Sequence, residues 1–406
     1  MKIKSLFPIL NYKINGKPLH YLDNAAITQV PKIVIDSLTN FYLRMNSNVH
    51  RGAYHLTEMA TVAYEDTRNK IAKFIGASDS SECVFVKSTT EAINLVAKSY
   101  LEPILKKDDE ILISHMEHHS NIVPWYLLSK KLNVKLKVIP IYQSGDLDYN
   151  KFLTLLTKKT KILAITHISN SLGTINDLQY LINAAHKNNI PVLIDGAQSL
   201  SNVKINVKEI DCDFFTLSSH KMFGPNGLGV LYAKQKYLKK MIPYQGGGDM
   251  IKHVNFSDIT WNEIPYKFEA GTPPIANVIA FGSTIDFLNS LDWKTLTAYK
   301  KDLFNYTIDE LIKIPGINII GSPKNRAPIV SFIIDNIHPH DFGTIASHYG
   351  VCVRTGHHCS MPLMDFLGLS STIRVSLSIY NTENDIKQLI FSIKKAKEIF
   401  FEKRIL

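Results

Sequence analysis

PVLIDGAQSLSNVKINVKEIDCDFFTLSSHKMFGPNGLG, Pro191 to Gly229, holds two apolar runs, each ending in a polar tail loaded with chemistry. VLI closes on Asp195, with Gln198 three residues on. FFTL closes on Ser218, His220 and Lys221, before a loop rich in Gly and Pro. Short apolar runs bounded by turn residues read as buried strands. The same rhythm recurs upstream, where ECVFV, EILIS, KLKVIP and KILAITHI alternate with the helical segments TTEAINLVAKSYL, NIVPWYLLSKKL and DLQYLINAAHKNN. Such alternation predicts an α/β fold: a mainly parallel sheet covered by helices on both faces. Ligands of such sheets bind outside the carboxyl ends of the strands. STTEA, HMEHHSN, ISNSLG, GAQS and SHKMFGPNG each follow a strand, so five polar tails on one edge predict one active site.

A chain of 406 residues is too long for one small core. Near residue 290 the rhythm changes to a long helical stretch, DWKTLTAYKKDLFNYTIDELIKI, then a few strands and a last helix from about Thr382. The expected division is an N-terminal segment over 1–20 that packs with the small domain, a large domain over 21–290 and a smaller α+β domain over 291–406. The net charge of +10 is spread over lysine and arginine pairs such as Lys106-Lys107, with no basic block, so a nucleic-acid partner is not expected. No apolar run reaches the roughly 18 residues of a membrane span. The start, MKIKSLFPILNYKINGK, resembles a weak signal sequence. Pro8, Asn11 and Lys13 interrupt it and no small-residue cleavage site follows, so a cytoplasmic location is expected.

Four cysteines occur without a C-x-x-C pair, which gives no support to structural zinc. Cys83, Cys212 and Cys352 sit in or beside apolar strand patterns and read as small buried hydrophobes. Cys359, in RTGHHCSMP, has polar and cationic neighbours. On its own it reads as a metal ligand, a core residue or a nucleophile. Lys221 follows an apolar strand, and a desolvated lysine has a lowered pKa and forms Schiff bases with aldehydes. Asp195 reads as a turn or N-cap aspartate, or as the anion beneath a protonated pyridine nitrogen. Ser88, Thr89 and Thr90 open a helix, where hydroxyls both cap and bind phosphate. His115, His118 and His119 follow a strand and suggest zinc, or a flat imidazole stacked on a cofactor ring. Arg374, inside the apolar TIRVS, demands an anion, either a structural carboxylate or that of a substrate.

The motifs YLDNAA, VHRGAYHLTEMAT, TTEAINLVA, MEHHSNIVPW, THISNSLGT, DGAQS, HKMFGPNGLGVLY, FEAGTP, RTGHHCSMPLM and RVSLSIYNT run in order along nearly the whole chain. Together they resemble the Suf-type, or group II, cysteine desulfurases, which also act as selenocysteine lyases. These are fold-type I pyridoxal-phosphate enzymes of the class V aminotransferase group. The resemblance implies pyridoxal 5'-phosphate as cofactor, a large domain with a seven-stranded sheet, and a smaller C-terminal domain carrying the cysteine loop. It implies Lys221 as the Schiff-base lysine, Asp195 as the pyridinium partner, Gln198 as the phenolate contact and His118 as the stacking histidine and proton carrier. Thr90, Thr89, Ser218 and His220 would cradle the phosphate, and Thr272 of FEAGTP would reach a phosphate across a homodimer interface. Asn170 and Arg374 would hold the carboxylate of L-cysteine or L-selenocysteine, with Arg354 beside the nucleophile loop. Cys359 would carry the sulfur as a persulfide to an acceptor protein for iron–sulfur cluster assembly, with Arg354, His357 and His358 lowering its thiol pKa. No metal is implied. The chain departs from the family pattern at Ser219, where Gly is frequent, and at Lys87-Ser88, where Arg-Gly is frequent. Neither change removes a group that the chemistry needs.

Overall fold

The computed structural model describes residues 3–402. Its main sheet has seven strands: β1 (Cys83–Val86), β2 (Glu110–Ser114), β3 (Lys135–Ile139), β4 (Thr160–Thr166), β5 (Val192–Asp195), β6 (Phe214–Ser218) and β7 (Gly229–Ala233). Their order is β1-β7-β6-β5-β4-β2-β3. The pairs β6–β5, β5–β4, β4–β2 and β2–β3 are parallel, while β7 runs antiparallel between β6 and β1. All six predicted strands are present, and GVLYA supplies the seventh.

Alternation along each strand builds the two faces. Leu112, Ile165, Ile194 and Leu217 share one core with Leu181 and Ile182 of the helix Leu178–Lys187. Ile111, Ala164, Leu193 and Phe214 share the other with Ile93, Trp125 and Leu128, from the helices Thr89–Leu95 and Val123–Leu132. With both faces buried, these strands read as continuous apolar runs. Gly229 is required where β7 meets the start of the helix Thr89–Leu95. A Cβ there would lie 2.6 Å from the Leu217 carbonyl and 2.7 Å from Ser88 Cα.

A second, antiparallel sheet joins Ile317–Ile320, Ile329–Ile334, Thr372–Ser376 and Arg354–Gly356 in that order. Phe332 and Ile373 pack there against Phe342 and Leu389 of the helices Pro339–His348 and Glu383–Glu402. The N-terminal segment touches several parts of the molecule. Phe7 packs in tilted and edge-to-face contact with Phe223, Phe287 and Tyr380, and His20–Tyr21 pairs in parallel with Val351–Cys352. Past Tyr21, the short ribbon to Thr28 connects the two sheets. Ser376 O accepts from Asn24 Nδ2 at 2.6 Å, and Ala25 N–H donates to Ser376 Oγ at 2.8 Å. At the far end Thr28 N–H donates to His220 O at 2.9 Å, and Phe223 N–H to Thr28 Oγ1 at 2.6 Å.

FEAGTP is anchored by a buried ion pair. Arg68 donates from both Nη atoms to Glu269, at 2.7 and 2.9 Å, and also to the Cys83 carbonyl. Glu269 Oε1 in turn accepts Phe85 N–H at 2.7 Å. Arg68→Met leaves Glu269 buried without its cation, so a loss of about 3–5 kcal/mol in urea unfolding is expected. A loss under ~1 kcal/mol would mean that the pair does not hold this segment. No helix among the described residues is long and apolar enough to cross a membrane.

Candidate active site

The carboxyl ends of β1, β2, β4, β5 and β6 converge where strand order reverses, and the ribbon and the cysteine loop close over them. Between them lies a cavity of about 320 Å³. Its walls include Thr89, Thr90, His118, Asn170, Ser218, His220, Lys221, Arg354, Cys359 and Arg374, so residues far apart in sequence meet in one chamber. Ala25, Ala26, Ser120 and His358 complete much of the wall.

Lys221 sits in the short turn after β6. Burial lowers its pKa, and the Arg374 and Arg354 charges push the same way against Asp195. An amine so placed gives up its proton more easily than a free lysine, and the unprotonated form is the nucleophile. Asp195 ends β5 and is fully enclosed, so burial raises its pKa against the pull of Lys221. Its carboxylate accepts one hydrogen bond, from Ala197 N–H at 3.0 Å. A buried carboxyl with a single donor is short of positive charge, a deficit that a protonated ring nitrogen makes good. Gln198 stands slightly apart and turns Nε2 onto the Ala25 carbonyl at 2.6 Å.

Ser218 Oγ accepts Thr89 N–H at 2.9 Å and donates to Thr89 Oγ1 at 3.0 Å, binding β6 to the helix start. Thr90 is exposed to the cavity beside them. Free helix N–H groups with clustered hydroxyls and a lysine suit a phosphate. Thr272 lies elsewhere: it lines a separate depression with Lys87, Glu91 and Gln245. A single chain therefore does not bring Thr272 to Lys221.

The turn after β2 separates its histidines. His118 faces the cavity, and its Nδ1 accepts Ser120 N–H at 3.1 Å, which leaves the proton of the neutral ring on Nε2. Burial, with the nearby Lys221 charge, lowers its pKa to about 3. His119 points to the cysteine loop, where Nε2 accepts Met361 N–H at 3.1 Å and its ring lies 5.7 Å from that of His357. His115 packs beside Phe366. The described residues contain no group of three potential metal ligands. Glu117 is a residue that sequence reasoning missed, although it stands inside MEHHSN. Wholly buried, with its pKa raised to about 8 by burial, it accepts from Ser114 Oγ, Thr166 N–H and Asn121 Nδ2, so it joins β2 to β4 beneath His118.

His358 and Cys359 both adopt left-handed backbone, with φ of 53° and 56°. Non-glycine residues there carry strain that surrounding bonds must hold. Cys359 O accepts His119 N–H at 2.7 Å, Cys359 N–H donates to His357 Nδ1 at 3.1 Å, and His358 O accepts Asn170 Nδ2 at 2.8 Å. The expectation that His358 helps to ionise Cys359 as a cation fails. Burial, with the Arg374 and Arg354 charges, lowers its pKa to about 3, so it is neutral at neutral pH. Cys83 and Cys212 are buried, and Cys352 is partly buried and packed against the main core.

Arg374 and Arg354 are cross-strand partners. Arg374 Nη2 donates to Asp23 Oδ1 at 2.9 Å and Nη1 to the Asn170 carbonyl at 3.0 Å, while its buried Nε–H has no partner. Arg354 Nη1 reaches Asp23 Oδ2 at 3.4 Å. Arg374 thus has a structural carboxylate and a donor to spare. Asp23, 351 positions away in YLDNAA, is a second residue that sequence reasoning missed.

Acid should loosen this core. His118, His167 and His358 have pKa values lowered to about 3, 4 and 3, against 6.5 when unfolded. Below pH 6.5 the unfolded chain binds protons that the folded one refuses, so each site costs about 1.4 kcal/mol at pH 5.5. Urea midpoints should fall steadily from pH 7 to pH 5. A flat profile over that range would show that the histidines are protonated in the folded protein.

Comparison with known proteins agrees with this geometry. Residues 20–389 match the family model described as aminotransferase class-V. A cysteine desulfurase of Wigglesworthia glossinidia brevipalpis is 47% identical over 98% of this chain and 97% of its own. A probable cysteine desulfurase of Halalkalibacterium halodurans is 46% identical over 98% of both chains. The cysteine desulfurase of Thermococcus onnurineus superposes with a TM-score of 0.92 at 34% identity, over 97% of both chains. With a chamber whose buried carboxyl, hydroxyls and enclosed lysine fit pyridoxal 5'-phosphate, the chain belongs to the aminotransferase class-V family and has its fold-type I architecture and cofactor.

Proposed function

We propose that the protein is a cysteine desulfurase that converts L-cysteine to L-alanine, holding the sulfur as a persulfide on Cys359. The observation that carries this reading is the presence of Lys221 and Cys359 in the walls of one cavity that Arg374 also lines. A transaminase has no use for a cysteine there. The names of the relatives support the same activity.

Pyridoxal 5'-phosphate, held at Lys221, supplies an electron sink for the pair left when the substrate loses its Cα proton. Arg374, with Asn170 beside it, binds the substrate carboxylate. Lys221 Nζ, freed when the substrate amine takes its place, takes the Cα proton. The Cys359 thiolate attacks the substrate sulfur. An S–S bond forms as the Cβ–S bond breaks, the electron pair goes to Cβ, where a proton completes the methyl group, and Lys221 returns its proton to Cα, so that L-alanine leaves and the sulfur stays on Cys359. His118 Nε2–H faces the cavity and serves as proton carrier. Thr89, Thr90, Ser218 and His220 hold the phosphate, Asp195 the ring nitrogen and Gln198 the phenolic oxygen.

In this reading Thr272 serves the chamber of a second copy, so the working unit is a homodimer. An acceptor protein takes the sulfur onward to iron–sulfur cluster assembly, and L-selenocysteine, with its weaker Cβ–Se bond, is a second substrate. The test is alanine released from L-cysteine by the purified protein without any keto acid. Release that requires a keto acid would identify a transaminase instead.

A further inference from the structure

Glu117, Asn121 and Trp125 are wholly buried, and the bonds between them run in one direction. An indole N–H only donates, and Asn121 Oδ1 accepts that of Trp125 at 2.9 Å. Asn121 is thereby turned with Nδ2 toward Glu117, whose Oε2 accepts it at 2.6 Å. Glu117 Oε1 accepts Thr166 N–H at 3.0 Å and also meets the Ser114 hydroxyl, the one partner able to give or take a proton. The carboxyl therefore keeps an acceptor toward Asn121 and another toward Thr166 in either charge state. Thr166 ends β4 in register with Asp195 on β5. Asn121 closes the turn that begins at His118, and its N–H donates to the His118 carbonyl at 2.8 Å.

Resting on the desulfurase reading, we propose that Glu117 is a positioning residue for the reaction: it holds His118 in the chamber by pinning the turn that carries it to the strand beside Asp195. Glu117 acts through Asn121 and Thr166, since its own side chain is wholly buried. An apolar contact would join β2 to β4 without the cost of burying a carboxyl that has no cation beside it. Three directed bonds do what an apolar contact does not, which is to fix one orientation of the turn. His118 is the part of that turn that faces the cavity, and a proton carrier delivers its proton only from a set position.

Glu117→Gln keeps the size and shape of the side chain and forms the test. In one orientation the new amide sets its –NH2 against that of Asn121, which cannot turn without giving up the indole of Trp125. In the other it meets the Thr166 N–H. With L-cysteine, kcat should fall about tenfold or more while KM stays within about twofold, because the substrate carboxylate is bound elsewhere. The visible circular dichroism of the bound cofactor should change as well. Adding Asn121→Asp to Glu117→Gln restores an acceptor toward the new amide and toward Trp125, and should return kcat to within about threefold of the unaltered protein, with its dichroism. Asn121→Ala cuts the same fastening and should lower kcat in the same way, which decides the matter if Glu117→Gln does not fold. Unchanged kcat and dichroism in Glu117→Gln or in Asn121→Ala, or a double variant no better than Glu117→Gln, overturns the proposal. Alanine release by the unaltered protein judges the desulfurase reading separately, because the dichroism needs no turnover.

Discussion

Cys359→Ser is expected to reduce sulfur release from L-cysteine by at least about a thousandfold and to leave the absorbance of the bound cofactor intact. The hydroxyl of serine is hardly ionised at neutral pH, is a poor nucleophile toward sulfur, and cannot form the S–S bond that carries the product. The fold does not depend on the thiol. Backbone groups hold the loop, through Cys359 O with His119 N–H and through His358 O with Asn170. Serine accepts the same left-handed backbone at the same strain. The measurements are sulfide release with a reducing thiol, the mass of the loop peptide with and without substrate, and the spectrum. Sulfide release at an undiminished rate would remove Cys359 from the chemistry. Loss of the absorbance as well would make it a structural residue.

Lys221→Ala should be more severe, lowering turnover by at least about ten-thousandfold. The substitution removes both the amine that fixes the cofactor and the base that the mechanism assigns to the Cα proton. It also withdraws the cation that Asp195 feels inside the chamber. The protein should purify without its yellow absorbance and release added cofactor on gel filtration. Its thermal unfolding should stay close to that of the unaltered protein, because desolvation already opposes the charge of this lysine. Covalently retained cofactor in Lys221→Ala would show that another amine does the work.

The strands and the chemistry on their tails are legible because each is local. VLID and FFTLS are apolar runs whose ends are marked by their own next residues. The direction of GVLYA is not local, since the ten residues from Ser219 to Leu228 allow either a crossover or a return, and only the pairing with β1 and β6 decides. Asp23 escaped notice because its partners, Arg354 and Arg374, lie more than 330 positions away and no spacing rule connects them. His358 was misjudged for a similar reason. Next to Cys359 in sequence it reads as a group that lowers the thiol pKa, yet the fold buries it against Thr372.

The ribbon from Tyr21 to Thr28 limits how the chamber can open. Ala25 is fastened to Ser376, on the strand of Arg374, and Thr28 to the carbonyl of His220, beside Lys221. Three residues of chain reach at most about 10 Å even when fully extended. The two sheets therefore cannot swing apart like jaws at this edge without breaking those bonds. Traffic through the chamber falls to lighter parts, the cysteine loop and the side chains around it. The structure behaves as a room with a fixed door frame, and any engineering for bulkier substrates should begin with the residues of the door.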